Sequence, residues 1–158
     1  MRYAGLKKND IVDGEGVCVS FWTQGCPHRC PGCHNPETWD FNGGMEIDED
    51  ELTTKIVNAI EANGVNRNFS ILGGEPLCPH NIRYVINLVN IVRTLFPEIK
   101  IFIWTGYRLE DLQEKYQESL FNKIDVLIDG PFVLDQRDIS LKLRGSKNQR
   151  VLYKGIDF

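Results

Sequence analysis

The 158-residue chain has no apolar run at its N-terminus long enough for a signal-peptide core. No stretch approaches the roughly 20 apolar residues of a membrane span. It is therefore expected in the cytoplasm, with no membrane attachment. It has no basic excess: 18 Lys and Arg stand against 22 Asp and Glu, a formal charge of −4. That balance argues against a nucleic-acid binder, which presents a strongly positive face. Internal repeats, low-complexity tracts and linker-like stretches are absent, so residues 1–158 are expected to form a single domain. A chain of this size buries enough surface to fold without disulfides. It falls short of the about 250 residues of a closed eight-stranded β/α barrel. Nor can all its cysteines pair, because there are five.

What is present is an alternation. Residues 17–23 (VCVSFWT) are a short apolar run rich in β-formers and predict a buried strand. Residues 25–39 are loop, dense in Gly, Pro and Cys. Asp48 then reads as a helix N-cap, with Glu51 completing a capping box. Leu52, Ile56, Ala59 and Ile60 share one helical face, and Asn63-Gly64 ends the helix. Residues 69–72 (FSIL) are a second strand running into Gly73-Gly74-Glu75-Pro76. A second helix starts near Pro79, with a stripe of Ile82, Val85, Ile86, Val89 and Val92, and Pro97 stops it. Residues 99–104 and 124–128 predict two more strands, with a helix through Leu109, Leu112 and Tyr116 between them and a last strand at 151–153.

The β-α-β-α-β-α-β order implies an α/β fold with a mostly parallel sheet and right-handed crossovers. With too few units to close, the expected architecture is an open partial β/α barrel, a curved sheet with helices outside. Ligands of such sheets bind beyond the C-terminal strand ends. The unusual loops, residues 25–39, 73–77, 105–107 and 129–132, all fall there.

The first of these loops carries Cys26, Cys30 and Cys33, spaced C-x3-C-x2-C. Thiolates are soft ligands that suit zinc or an iron–sulfur centre. Structural zinc wants four ligands, usually as two pairs, and no second pair exists. His34 is too close to Cys33 for a relaxed chelate, and Cys78 would have to fold in from another strand end. A 4Fe–4S cluster normally takes four cysteines, so three leave one iron open for a substrate. Cys18 and Cys78 read as small buried hydrophobes. Gly73-Gly74-Glu75-Pro76 is neither a dinucleotide fingerprint nor a Walker loop, since no G-K-[ST] follows. Its glycines let backbone and ligand approach closely.

The cysteine loop after the first strand and Gly-Gly-Glu-Pro after the second resemble the radical S-adenosylmethionine (SAM) enzymes. Trp39, Trp104-Thr105-Gly106-Tyr107, Asp129-Gly130-Pro131-Phe132 and Arg144-Gly145-Ser146-Lys147-Asn148-Gln149-Arg150 narrow the likeness. They resemble the glycyl-radical activases of anaerobic ribonucleoside-triphosphate reductases, from about Gly14 to Arg150. The resemblance implies that Cys26, Cys30 and Cys33 hold a 4Fe–4S cluster whose open iron is chelated by SAM. An electron from the cluster would cleave the sulfonium bond, and the resulting 5′-deoxyadenosyl radical would take hydrogen from a glycine Cα of the partner reductase. Iron–sulfur potentials span about −700 to +450 mV, and this chemistry needs the low end, hence a strong one-electron donor that the sequence does not name. The resemblance also implies SAM contacts at Gly32, Cys33 and His34 beside the adenine, and at Gly73, Gly74 and Glu75 near the amino group. Gly32 stands where many radical SAM enzymes have an aromatic residue, so backbone contact is expected there.

Other residues have plainer readings. His28 is expected to be a solvent-facing loop residue and His80 to have no role; Trp39 and Trp104 either line the site or, as strand-end aromatics more often do, belong to the core. Arg144 and Arg150, in the acid-free segment 139–154, are expected to bind a carboxylate of SAM or of the partner. Two alternatives to the activase remain: a small-molecule radical SAM enzyme of the carboxy-deazaguanine synthase type, and a non-catalytic zinc module.

Overall fold

A computed structural model describes residues 1–158. Its strands and α-helices, in chain order, are β1 (Arg2–Asp10), β2 (Cys18–Thr23), β3 (Met45–Glu46), α1 (Glu49–Glu61), β4 (Asn68–Gly73), α2 (Ile82–Leu95), β5 (Ile101–Trp104), α3 (Leu109–Tyr116), β6 (Val126–Asp129) and β7 (Arg150–Tyr153). One sheet of seven strands runs in the order β3-β1-β2-β4-β5-β6-β7. Strands β2, β4, β5 and β6 are parallel. Strands β1 and β3 on one side and β7 on the other are antiparallel additions. The two outermost strands do not pair, so the sheet is open.

The four parallel strands are almost wholly buried, which their near-continuous apolar sequences require of strands covered on both faces. Alternate residues divide between two environments. Val19, Phe21, Phe69, Ile71, Ile101, Ile103 and Leu127 join the apolar stripes of α1 and α2 and Leu109 of α3 in one core. On the opposite face Phe102, Val126 and Ile128 pack with Trp104, Leu143 and Val151. All three helices thus cover one face, while residues from the β6–β7 connection and β7 cover part of the other.

The β-α-β-α-β-α-β alternation stands, with boundaries moved by one to three residues. Asp48 caps α1, its carboxylate accepting from the backbone N–H groups of Asp50 and Glu51 at 3.0 and 3.2 Å. The return bond of a full capping box is not formed. Helix α2 begins at Ile82, not near Pro79, because residues 78–81 make a turn in which the Asn81 side chain binds backbone of other loops. Two strands escape the sequence pattern. Strand β1 mixes half-exposed and lysine-bearing positions and is irregular in register, so it lacks a clean period of two. Strand β3 is two exposed residues long. No helix is long and apolar enough to cross a membrane.

Candidate active site

The parallel strands all end at one cavity of about 520 Å³. Beyond β2 it is lined by Cys26, His28, Cys30, Cys33 and His34, beyond β4 by Gly73, Gly74 and Glu75, beyond β5 by Thr105 and Gly106, and beyond β6 by Gly130 and Phe132. The size is that of a cofactor-binding cleft. Cys26 is buried and the other two thiols are partly covered. Burial pushes the Cys26 and Cys30 thiols above the usual range. A bound metal would deprotonate them outright. The backbone N–H of Asn35 donates to Cys33 Sγ at 3.4 Å, the kind of bond that tunes a cluster's potential. No set of three or more His, Cys, Asp or Glu side chains converges on a single ion. The three thiols line one cavity, and soft thiolates there suit zinc or an iron–sulfur centre. Cys18 and Cys78 are buried away from the cavity wall.

The loop conformation is set by glycines. Gly32 has φ 77, and a Cβ there would lie 2.7 Å from Leu134 Cδ1. A side chain before Cys33 is therefore disfavoured by the backbone conformation, and the Leu134 side chain would have to move to admit it. Gly73 and Gly74 serve backbone packing. A Cβ on Gly74 would meet the carbonyl oxygen of Gly25 at 2.5 Å and that of Thr38 at 3.0 Å. This close approach lets Gly74 N–H donate to Thr23 O and Glu75 N–H to Gly25 O, both at 2.9 Å. The cysteine loop is thereby seated on the end of β4. Glu75 lines the cavity, yet its carboxylate is 1% exposed and already accepts four protein hydrogen bonds.

A family described as a 4Fe–4S single cluster domain matches residues 12–152. Three relatives are each named an anaerobic ribonucleoside-triphosphate reductase-activating protein. That of Salmonella typhi is 40% identical over 96% of this chain and 97% of the relative. That of Haemophilus influenzae is 37% identical over 94% and 96%. That of Enterobacteria phage T4 is 34% identical over 96% and 93%. The chain belongs to this activating-protein family.

Against that background the basic run holds a surprise. Arg150 does not reach the cavity. Its guanidinium grips the buried Asp129 carboxylate through Nε at 2.9 Å and Nη2 at 2.5 Å. It also forks onto Glu110 at 2.9 and 2.8 Å. The reading of Arg150 as a free carboxylate binder is thus corrected: its donors are already engaged in joining β7, the end of β6 and the start of α3. Gln149 Oε1 accepts from Gly145 N–H at 2.9 Å, its amide donates to Gly130 O at 3.0 Å, and the Asn148 amide donates to Pro131 O at 2.7 Å. Arg144 does line the cavity, the one Arg or Lys to do so, and donates to Gln149 O at 2.6 Å.

One sequence reading gives way here, one alternative is decided and one segment is new. Trp39 and Trp104 line the cavity, and Trp104 Nε1–H donates to Leu143 O at 2.7 Å. His28 is 20% exposed and bonded to Glu75, not solvent-facing. The β1–β2 loop, unremarked in the sequence, crosses the helix-free face and brings Val12 and Asp13 to the cavity, with Ser70 Oγ–H donating to Asp13 O at 2.5 Å. Burial and the neighbouring Asp10 push Asp13 up to about 6.

Proposed function

We propose that this protein activates an anaerobic ribonucleoside-triphosphate reductase by generating a glycyl radical in it. The supporting observation is the convergence of four strand-end loops, one bearing three thiols, on a single cavity. In this reading Cys26, Cys30 and Cys33 hold a 4Fe–4S cluster. Bound together, the cluster and SAM supply an electron and a 5′-deoxyadenosyl radical able to take hydrogen from carbon. The chain's own residues do the rest. The backbone at Gly73 and Gly74 faces the amino end of SAM, and that of Gly32, Cys33 and His34 faces its adenine. Arg144 is the cation for a carboxylate in the cavity. Trp22, Trp39 and Trp104 help exclude water. An external low-potential donor delivers the electron, in the cytoplasm.

Residues 1–158 act as one domain, and the helix-free side of the sheet is the open side of a partial barrel. That opening suits a protein substrate, whose glycine is carried on a backbone too large to be engulfed. Ile11 and Val12 on one flanking loop and Ile139 on the other are 77%, 72% and 87% exposed, apolar groups that a docked protein surface would cover. The test is anaerobic reconstitution with iron and sulfide, followed by SAM, a reductant and the reductase. A glycyl radical seen by electron paramagnetic resonance (EPR) supports the reading. Turnover of a small pterin with no protein partner would replace it with the small-molecule alternative.

A further inference from the structure

Glu75 is a buried ionisable group at the cavity wall. A carboxylate taken out of water must find donors, and Glu75 finds them in three places. Oε1 accepts from Leu77 N–H at 2.9 Å in its own turn and from Thr105 Oγ1–H at 2.7 Å beyond β5. Oε2 accepts from Gly106 N–H at 2.7 Å, also beyond β5, and hydrogen-bonds His28 Nε2 at 2.8 Å. His28 lies between Cys26 and Cys30. Its imidazole stands edge-on to Tyr107, with ring centroids 4.6 Å apart. A Cβ on Gly106 would lie 2.6 Å from the ring, so the imidazole occupies a slot that only glycine leaves free.

The next residue, Arg29, has φ 49, a left-handed conformation that a non-glycine residue keeps only when its surroundings hold it there. Pro27 and Arg29 are exposed, so His28 is the residue of this stretch that reaches into the protein.

We infer that His28 is a positioning residue for the three thiols, bound through Glu75 to the ends of β4 and β5. The inference rests on the proposed cluster ligation by Cys26, Cys30 and Cys33. In it the Glu75 oxygens anchor the loop that carries the sulfurs. Groups behind metal ligands fix the ligands' orientation, and their removal typically costs roughly 10–100-fold in metal affinity or activity.

The experiment compares the wild-type protein with His28→Ala, His28→Gln and His28→Asn, each reconstituted anaerobically with iron and sulfide. The glutamine amide reaches the position of Nε2, whereas the asparagine amide stops short of Glu75. The readouts are iron released to a ferrous chelator over time and the EPR line shape of the reduced cluster. Both are independent of radical transfer. Circular dichroism establishes that each variant is folded. His28→Ala and His28→Asn should release iron roughly 10–100-fold faster than wild type and show a broadened or shifted signal. His28→Gln should return both readouts most of the way to wild type. Wild-type release rates and line shape in the folded Ala and Asn variants overturn the inference. So does a Gln variant that behaves like Asn, because the hydrogen bond would then not be what matters. If wild type itself takes up no cluster, the ligation reading falls, and the inference with it. A cluster-bearing wild type separates the two failures.

Discussion

Arg150 offers the sharpest test of how the family-specific run works. Replacing it with Ala leaves Asp129 in the interior with one remaining donor, the Leu109 N–H at 2.8 Å. Asp129 is 1% exposed in its side chain and Arg150 is 35% exposed. Breaking a fully buried pair by removing one partner costs about 3–5 kcal/mol. Partial exposure of the guanidinium screens the interaction, so the low end, about 3 kcal/mol, applies here. The outer contact to the exposed Glu110 adds at most about 1 kcal/mol. A loss of about 3 kcal/mol is a large part of a typical stability of about 5–15 kcal/mol. For a chain of this length it lowers the midpoint of thermal unfolding by roughly 6–12 °C. Arg150→Lys keeps the charge but loses the fork, and should fall between.

The assay is thermal and urea unfolding of the metal-free protein, with Asp129→Asn and the double variant completing a cycle. Asp129→Asn removes the charge that needs Arg150, so the double variant should be clearly more stable than the sum of single losses implies. The outer contact has its own pH signature. The Arg150 fork pulls Glu110 down to about 2. Its small contribution is therefore present above the ordinary glutamate range and lost as pH falls toward 2. An Arg150→Ala protein that melts at the wild-type temperature would falsify the clamp and return Arg150 to the surface chemistry its sequence suggests.

Three further outcomes are expected. Cys26→Ala, Cys30→Ala and Cys33→Ala should each abolish the iron–sulfur absorbance after reconstitution, whereas Cys18→Ala and Cys78→Ala should retain it; loss of the cluster in Cys78→Ala would add a fourth ligand. Asp13, raised by burial and by Asp10 with Lys7 opposing, favours the protonated form on folding. The associated stability should be fully present below the ordinary aspartate range and decline as pH rises through about 6, by about 1 kcal/mol after allowing for exposure. Urea unfolding of Asp13→Asn across that window should lack the decline, and an unchanged slope would count against the assignment. Ile11→Ser and Ile139→Ser should leave partner-free SAM cleavage intact but each weaken reductase binding, by about 1.5 kcal/mol or roughly tenfold; wild-type glycyl-radical yield at limiting reductase in both would remove these loops from the interface.

The parallel centre was legible because burial on both faces leaves a strong trace. Stretches such as FSIL and IFIW have no polar alternative to the interior, and their spacing around α1 and α2 forces the β-α-β order. The chemistry was legible for a related reason. Three cysteines in eight residues have no packing explanation, and strand-end placement puts them beside Gly73-Gly74 without any knowledge of side-chain positions. Strand β1 was illegible because an irregular, partly exposed strand has no obligation to alternate. The β1–β2 loop was illegible for a different reason: nothing in its glycines and acids marks a site, and only the fold reveals that it crosses a sheet face left bare by the helices.

The harder lesson concerns residues that seemed to announce ligand binding. Glu75 and Arg150 carry groups able to hold SAM or a partner, Gln149 sits in the same family-specific run as Arg150, and a motif cannot say which neighbour arrives first. In each case a protein group arrived first. Glu75 is bonded to His28, Thr105, Gly106 and Leu77, Arg150 to Asp129 and Glu110, and Gln149 to the loops on either side of it. Several of these bonds tie separate strand-end segments to one another around the cavity: Glu75 to His28, Thr105 and Gly106, Arg150 to Asp129, and Gln149 to Gly130. A site assembled from four loops has no continuous backbone scaffold, so its geometry depends on cross-links of this kind. Residues of a family motif can thus shape a site by holding its loops together, while the three thiols, Arg144 and the inner edges of Glu75 and Gln149 line the cavity those loops enclose.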